Sequence, residues 1–140
     1  MSTENTRPVR SGEPVDLQDS LSRIDRTWDP RIALRVNDYD VRLAKVKGDF
    51  VWHSHEDTDE FFLVIEGELR IGLREGGTER EVVLATGQAF TVPRGVEHRP
   101  VSPGGASILM FELSGTVNVG DHDGPLPDGI AATSGRTFNE

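Results

Sequence analysis

The sequence predicts an all-β fold, a single antiparallel sandwich or barrel preceded by a short N-terminal helix. Three observations carry the prediction. Apolar and polar residues alternate with a period of two through residues 32–36 and 41–45. Short candidate strands then recur at regular spacing, with almost no helical periodicity between them. Their separators are turn chemistry: Gly48-Asp49, Gly67, Gly76-Gly77, Thr86-Gly87, Pro93-Arg94-Gly95 and Pro103-Gly104-Gly105.

Taken in order, residues 1–15 are polar and contain Pro8, Gly12 and Pro14, which reads as a flexible arm. Leu17, Leu21 and Ile24 recur at helical spacing behind Asp16, a good N-cap, and predict a helix over 16–24. After Trp28-Asp29-Pro30 the period changes. Ile32, Leu34 and Val36 alternate with Ala33 and Arg35, and Val41, Leu43 and Lys45 alternate with Arg42 and Ala44. Further strands are expected over 50–55, 60–66, 68–74, 80–84, 89–92, 97–101 and 107–113. The run Phe61-Phe62-Leu63-Val64-Ile65 does not alternate, which implies burial on both faces. One face would line an interior, and the other needs cover from a strand or a second subunit, so a homodimer is expected. From Ser114 onward Gly, Asp and Pro dominate. The domain is placed at 16–118 and an irregular tail at 119–140.

A chain of 140 residues suits one domain with a real core. Its 15 Lys and Arg against 24 Asp and Glu leave a net charge of −9, which argues against nucleic acid and anionic membranes as partners. Cysteine is absent, so thiolate catalysis, disulfides and sulfur-ligated zinc are excluded. The N-terminus lacks an apolar signal core and no apolar run reaches spanning length, so a soluble, cytoplasmic protein is expected.

Three of the four histidines fall into one pattern: His53-Ser54-His55, then Glu60, then His98. On a strand, residues i and i+2 point to the same face, so His53 and His55 would project together. Three imidazoles and a carboxylate suit one divalent transition metal ion per chain and leave positions open for water or substrate. These ligands do not choose among iron, manganese, zinc, nickel and copper. Parity puts Val51 with His53, and Phe62 and Val64 with Glu60, as interior positions. Glu112, in the last apolar strand, is a candidate general base pointing into the cavity. Arg70 and Arg99 are candidates for a substrate carboxylate or phosphate, although such residues are more often surface ion-pair partners. His122, in Asp121-His122-Asp123, reads as solvated, and residues 56–59 as a solvated loop at the barrel mouth.

Gly48, His53, His55, Glu60 and Gly67, followed by Gly87, Pro93, Gly95 and His98, resemble the two motifs of the cupin superfamily. Gly48 stands one residue closer to His53 than the usual form, and Ser102 stands where the second motif commonly has Asn. The likeness spans the motifs at 48–102 and extends to about 30–118. Residues 52–60 and Gly115-Thr116-Val117-Asn118 are most similar to small single-domain cupins called mannose-6-phosphate-isomerase-like. True isomerases of that name are much longer, and no basic cluster for a sugar phosphate is evident. The resemblance implies a double-stranded β-helix, or jelly-roll barrel, with a metal in it. It also implies a metalloenzyme for a small oxygenated organic molecule, with dioxygenase, isomerase or lyase chemistry. A non-catalytic small-molecule binding or sensor protein is the second reading, because this barrel hosts many functions. The sole tyrosine, Tyr39, lies outside both motifs, which weakens an epimerase reading.

Overall fold

The Asp16 carboxylate accepts a hydrogen bond from the Asp19 amide at 3.0 Å and starts a six-residue helix, α1 (Leu17–Ser22). This computed structural model describes residues 12–138, so most of the arm expected over 1–15 lies outside the described residues. Eight strands follow: β1 (Arg31–Val36), β2 (Tyr39–Asp49), β3 (Glu60–Gly67), β4 (Leu69–Glu75), β5 (Thr78–Leu84), β6 (Ala89–Val92), β7 (Glu97–Leu113) and β8 (Arg136–Thr137). They run in the order β5-β4-β7-β2-β1-β8, with β3 paired to both β7 and β6. The pairings are antiparallel except β1 with β8. The architecture is the expected all-β jelly roll with one short helix.

β7 is the spine. Its first residues pair with β4, and its later ones lie between β2 and β3. Even-numbered residues are buried on either side of its middle, His98, Pro100 and Ser102 before it and Ile108, Met110 and Glu112 after it. Phe62, Val64, Leu69, Ile71, Leu73 and Ile108 fill the main core. Each such side chain contributes about 1.5–3 kcal/mol by leaving water. Gly67 closes the turn into β4: its φ is +96°, and a Cβ there would come within 2.5 Å of the Gly105 carbonyl oxygen.

Several expectations change on folding. The residues expected to turn at 103–105 do not reverse the chain. β7 passes through them as a bulge, where two steps on β2 (Val46 to Gly48) oppose four on β7 (Ala106 to Ser102). The strand expected over 50–55 is reduced to one bridge, His53 with His98. In β2 the core-facing set is Asp40, Arg42, Ala44 and Val46 rather than Val41, Leu43 and Lys45. Leu43 is buried on the opposite face with Leu21, Ile24 and Ala33 in the cluster beside α1. In β3, Phe62 and Val64 are buried, whereas Phe61, Leu63 and Ile65 are only half-buried.

Beyond residue 118 the chain has little regular structure but is anchored. Val119 and Ile130 are buried with Phe50 and Val51, and β8 adds to the edge of β1.

Candidate metal centre

Two of the four expected ligands stand on strands. Glu60 opens β3, paired with Val92, and His98 is the second residue of β7, paired with Leu73. Period-two geometry turns both inward. The other two sit on the irregular stretch between β2 and β3. The His53 amide donates to the His98 carbonyl at 3.0 Å, the His98 amide returns the bond at 2.8 Å, and Gly95 N–H donates to the His55 carbonyl at 2.8 Å. All four side chains are buried, and their ligand atoms lie within 4.8 Å of one another. The His53 and His55 rings meet edge to face, 4.9 Å apart.

The donor set tests whether a cation fits. His53 Nδ1 lies 2.9 Å from the Val51 carbonyl oxygen, and His98 Nδ1 lies 2.9 Å from that of Val96. A carbonyl only accepts, so each Nδ1 carries a proton, and each Nε2 faces the centre, where it offers a lone pair to a cation once it carries no proton. There His98 Nε2 stands 3.0 Å from Glu60 Oε1. His55 Nε2 stands 3.2 Å from the same oxygen, without a hydrogen bond to satisfy it. Converging lone pairs beside a carboxylate repel unless a proton or a cation lies among them, and a divalent transition metal suits them all.

The electrostatics agree. Burial, with His98 beside it, pushes the His53 imidazole down to about 4, so it is neutral and able to donate its lone pair. Burial also disfavours charge on His98 and on Glu60. On His98 the hydrogen bond to Glu60 outweighs it and holds the imidazole above its ordinary value, while on Glu60 the neighbouring Glu112, then His55 and His98, hold the carboxyl well below.

A second charged group, missed in the sequence, supports Glu60. Arg42 is 1% exposed; its Nη1 donates to Glu112 Oε1 at 3.0 Å and its Nη2 to Asp40 Oδ2 at 3.0 Å. Glu112 hydrogen-bonds Glu60 in turn. Burial, then the Glu60 charge, pushes the Glu112 carboxyl well above its ordinary value, and Arg42 offsets this only in part. Arg42, Glu60, Glu112 and His53 share one cavity with Phe62, Ile108, Met110, Phe50 and Trp28. Glu112 therefore points inward.

The remaining candidates lie elsewhere. Val51 packs with Val119 instead of lining this cavity, and Val64 belongs to the main core. Arg70 pairs with Glu68 at 3.1 Å, and Arg99 lies 3.8 Å from Asp49 and over the Trp52 ring. His122 sits outside the group, with Nε2 3.3 Å from the Pro125 carbonyl. Asp121 accepts from Ser54 twice, and the Ser54 amide holds its carboxyl below the ordinary value.

A jelly-roll barrel with inward imidazoles and a carboxylate defines a class, and comparison with known proteins places the chain in it. Residues 40–114 match the cupin domain, and the chain belongs to that family. YdbB of Bacillus subtilis (strain 168) is 44% identical over 64 residues, which is 46% of this chain and 54% of YdbB. A 3-hydroxyanthranilate 3,4-dioxygenase of Xanthomonas campestris pv. campestris is 28% identical over 60 residues, 43% of this chain and 34% of that enzyme. The match thus spans about half the length of the first of these relatives and about a third of the second. A crystal structure of a cupin-2 domain protein from Shewanella frigidimarina NCIMB 400 superposes with a TM-score of 0.67 at 38% identity, covering 71% of this chain and 93% of that one. Among the described residues no helix is long and apolar enough to cross a membrane.

Proposed function

We propose that this cupin is a metal-dependent enzyme acting on a small oxygenated organic molecule, with His53, His55, Glu60 and His98 holding one divalent transition metal ion. The observation that carries this reading is the convergence of four buried ligand atoms within 4.8 Å beside an apolar cavity. A bound ion supplies Lewis acidity toward substrate oxygens and, if it is iron, the means to activate dioxygen. The protein's own residues do the rest. Phe62, Ile108 and Met110 shape the cavity and keep water out, while Arg42 and Glu112 hold Glu60 in place. Glu112, whose carboxyl is pushed well above its ordinary value by burial, stands at the cavity wall as the group placed to exchange a proton.

The likeness to 3-hydroxyanthranilate 3,4-dioxygenases favours the dioxygenase branch over isomerase or lyase chemistry. Elemental analysis of protein purified without an affinity tag tests the metal. Oxygen uptake by the iron-loaded protein, with aminophenols and hydroquinones as probes, tests the branch. Uptake no faster than with His98→Ala would remove it.

We further propose a homodimer. Phe61 and Leu63 on β3 and Phe111 on β7 present a half-buried apolar face, with Tyr39 stacked on Phe111 at 5.0 Å. A second copy of the chain would take that face out of water. Sedimentation should give twice the chain mass, and Phe61→Glu should return it to one.

A further inference from the structure

We propose that Asp121 is a positioning residue for the metal group, so that the segment leaving β7 is part of the metal centre. The inference rests on reading His53, His55, Glu60 and His98 as ligands. Ser54 separates the two adjacent histidines, and Asp121 occupies all three of its polar groups. The Ser54 amide donates to Asp121 Oδ1 at 2.6 Å, and the Ser54 hydroxyl donates to Oδ2 at 2.9 Å. The Asp121 amide donates to the Ser54 carbonyl at 3.1 Å.

These bonds matter because the stretch carrying His53 and His55 lacks a strand ladder. Its backbone has one bridge to β7, a bond from the Phe50 amide to the Pro100 carbonyl at 3.0 Å and one bond from Gly95. Left with those alone, the peptide between the histidines could pivot, and a pivot there moves both rings. The strap is fixed at its own ends. Val119 and Ile130 are buried against Phe50 and Val51, just ahead of His53. Asn118 closes the strap on itself: its amide donates to the Thr133 carbonyl at 2.9 Å, and its Oδ1 accepts from the Thr133 amide at 2.9 Å.

Gly120 sets how closely the strap approaches. Its φ is +53°, and a Cβ there would collide with the Ser54 carbonyl. The same Cβ would come within 3.0 Å of His53 Cδ2 and 3.1 Å of His55 Nδ1. The strap backbone therefore lies directly on both imidazoles. Groups that orient ligands from outside the coordination shell typically change metal affinity by about 10–100-fold when removed.

The test titrates the full chain with Co(II), using a competing chromophoric chelator for affinity and the d–d absorption for geometry. It compares wild type with Asp121→Ala, Asp121→Asn and, as a control on the exposed strap, Asp123→Ala. Metal-free melting is recorded for each. Asp121→Ala is expected to bind about 10–100-fold more weakly, with an altered d–d spectrum and a metal-free melting temperature close to wild type. Asp121→Asn keeps an oxygen for the Ser54 amide and a donor for its hydroxyl, so it should recover most of the affinity. Asp123→Ala should match wild type.

The proposal is overturned if Asp121→Ala binds Co(II) with wild-type affinity and spectrum. It is equally overturned if the loss merely tracks a lower metal-free stability and Asp121→Asn gives no rescue. If wild type itself takes up no Co(II), the ligand assignment fails first, and the positioning role falls with it.

Discussion

Glu60 and His98 are held in a different way from His53 and His55, although all four meet at one point. The first pair stands on β3 and β7, where ladder hydrogen bonds fix the backbone and strand parity aims the side chain inward. The second pair stands on an irregular stretch, placed by contacts from two distant parts of the chain: the segment of Gly95 and His98, and Asp121. A strand positions a ligand with local geometry. An irregular stretch borrows its geometry from whatever packs on it, so its ligands depend on residues that never touch the metal.

The strand half is the harder to break locally, and its weak point is the buried charge chain beneath Glu60. Arg42→Met takes the cation from buried Glu112 and leaves Asp40 with Arg35 alone, and should cost about 3–5 kcal/mol of stability in urea unfolding. A loss under about 1 kcal/mol would show that the ladder alone holds this half. Next in size, His98→Ala and Glu60→Gln should each weaken Co(II) binding by more than about 100-fold, beyond the range expected for groups outside the shell. Binding equal to wild type would mean the shell is misassigned.

The pH dependence sharpens the same comparison, because the two halves titrate in opposite directions. His98 on β7 is raised by Glu60, so it keeps its proton in the metal-free protein as pH rises through its ordinary value. His53 on the irregular stretch is pushed down to about 4 and has none to lose near neutrality. A metal must displace the His98 proton. Affinity should therefore rise with pH by about tenfold per unit until the raised His98 value is passed, then level off. At a pH below the ordinary His98 value, calorimetry in two buffers of different ionisation heat should find about one proton released per metal, and no release would place the proton elsewhere. For the metal-free fold the signs oppose. The His98 contribution is present below its ordinary value and lost as pH rises through the raised one. That of His53 is present above its ordinary value and lost as pH falls toward about 4.

The smallest effect is expected from Ser54→Ala. It removes only the hydroxyl bond to Asp121 and leaves both backbone bonds, so Co(II) affinity should fall less than tenfold, about 1 kcal/mol or under. A larger loss would move the weight of the clamp from the backbone to the side chain.

The ligand set was legible in the sequence for a reason that proved only half right. His53 and His55 share a direction without lying on a ladder, so i and i+2 parity describes the outcome better than the cause. The inward face of β2 was not legible. Both of its faces are covered, one by the barrel interior and one by α1, and a period of two cannot tell which is the core when both are apolar in part. Arg42 faces inward because its partners are there, and Glu112 is 70 positions away in the chain.

By itself the sequence determined the all-β class, the Asp16 cap and the identity of the four converging side chains. These are local matters of period, turn chemistry and residue type, which each short segment carries within itself. Tertiary structure alone decided that Arg42 and Glu112 stand under Glu60, that residues 103–105 bulge instead of turning, and that the segment after residue 118 lies on the histidines. Each depends on partners far apart in sequence, whose meeting is set by how the strands pair and where the chain returns.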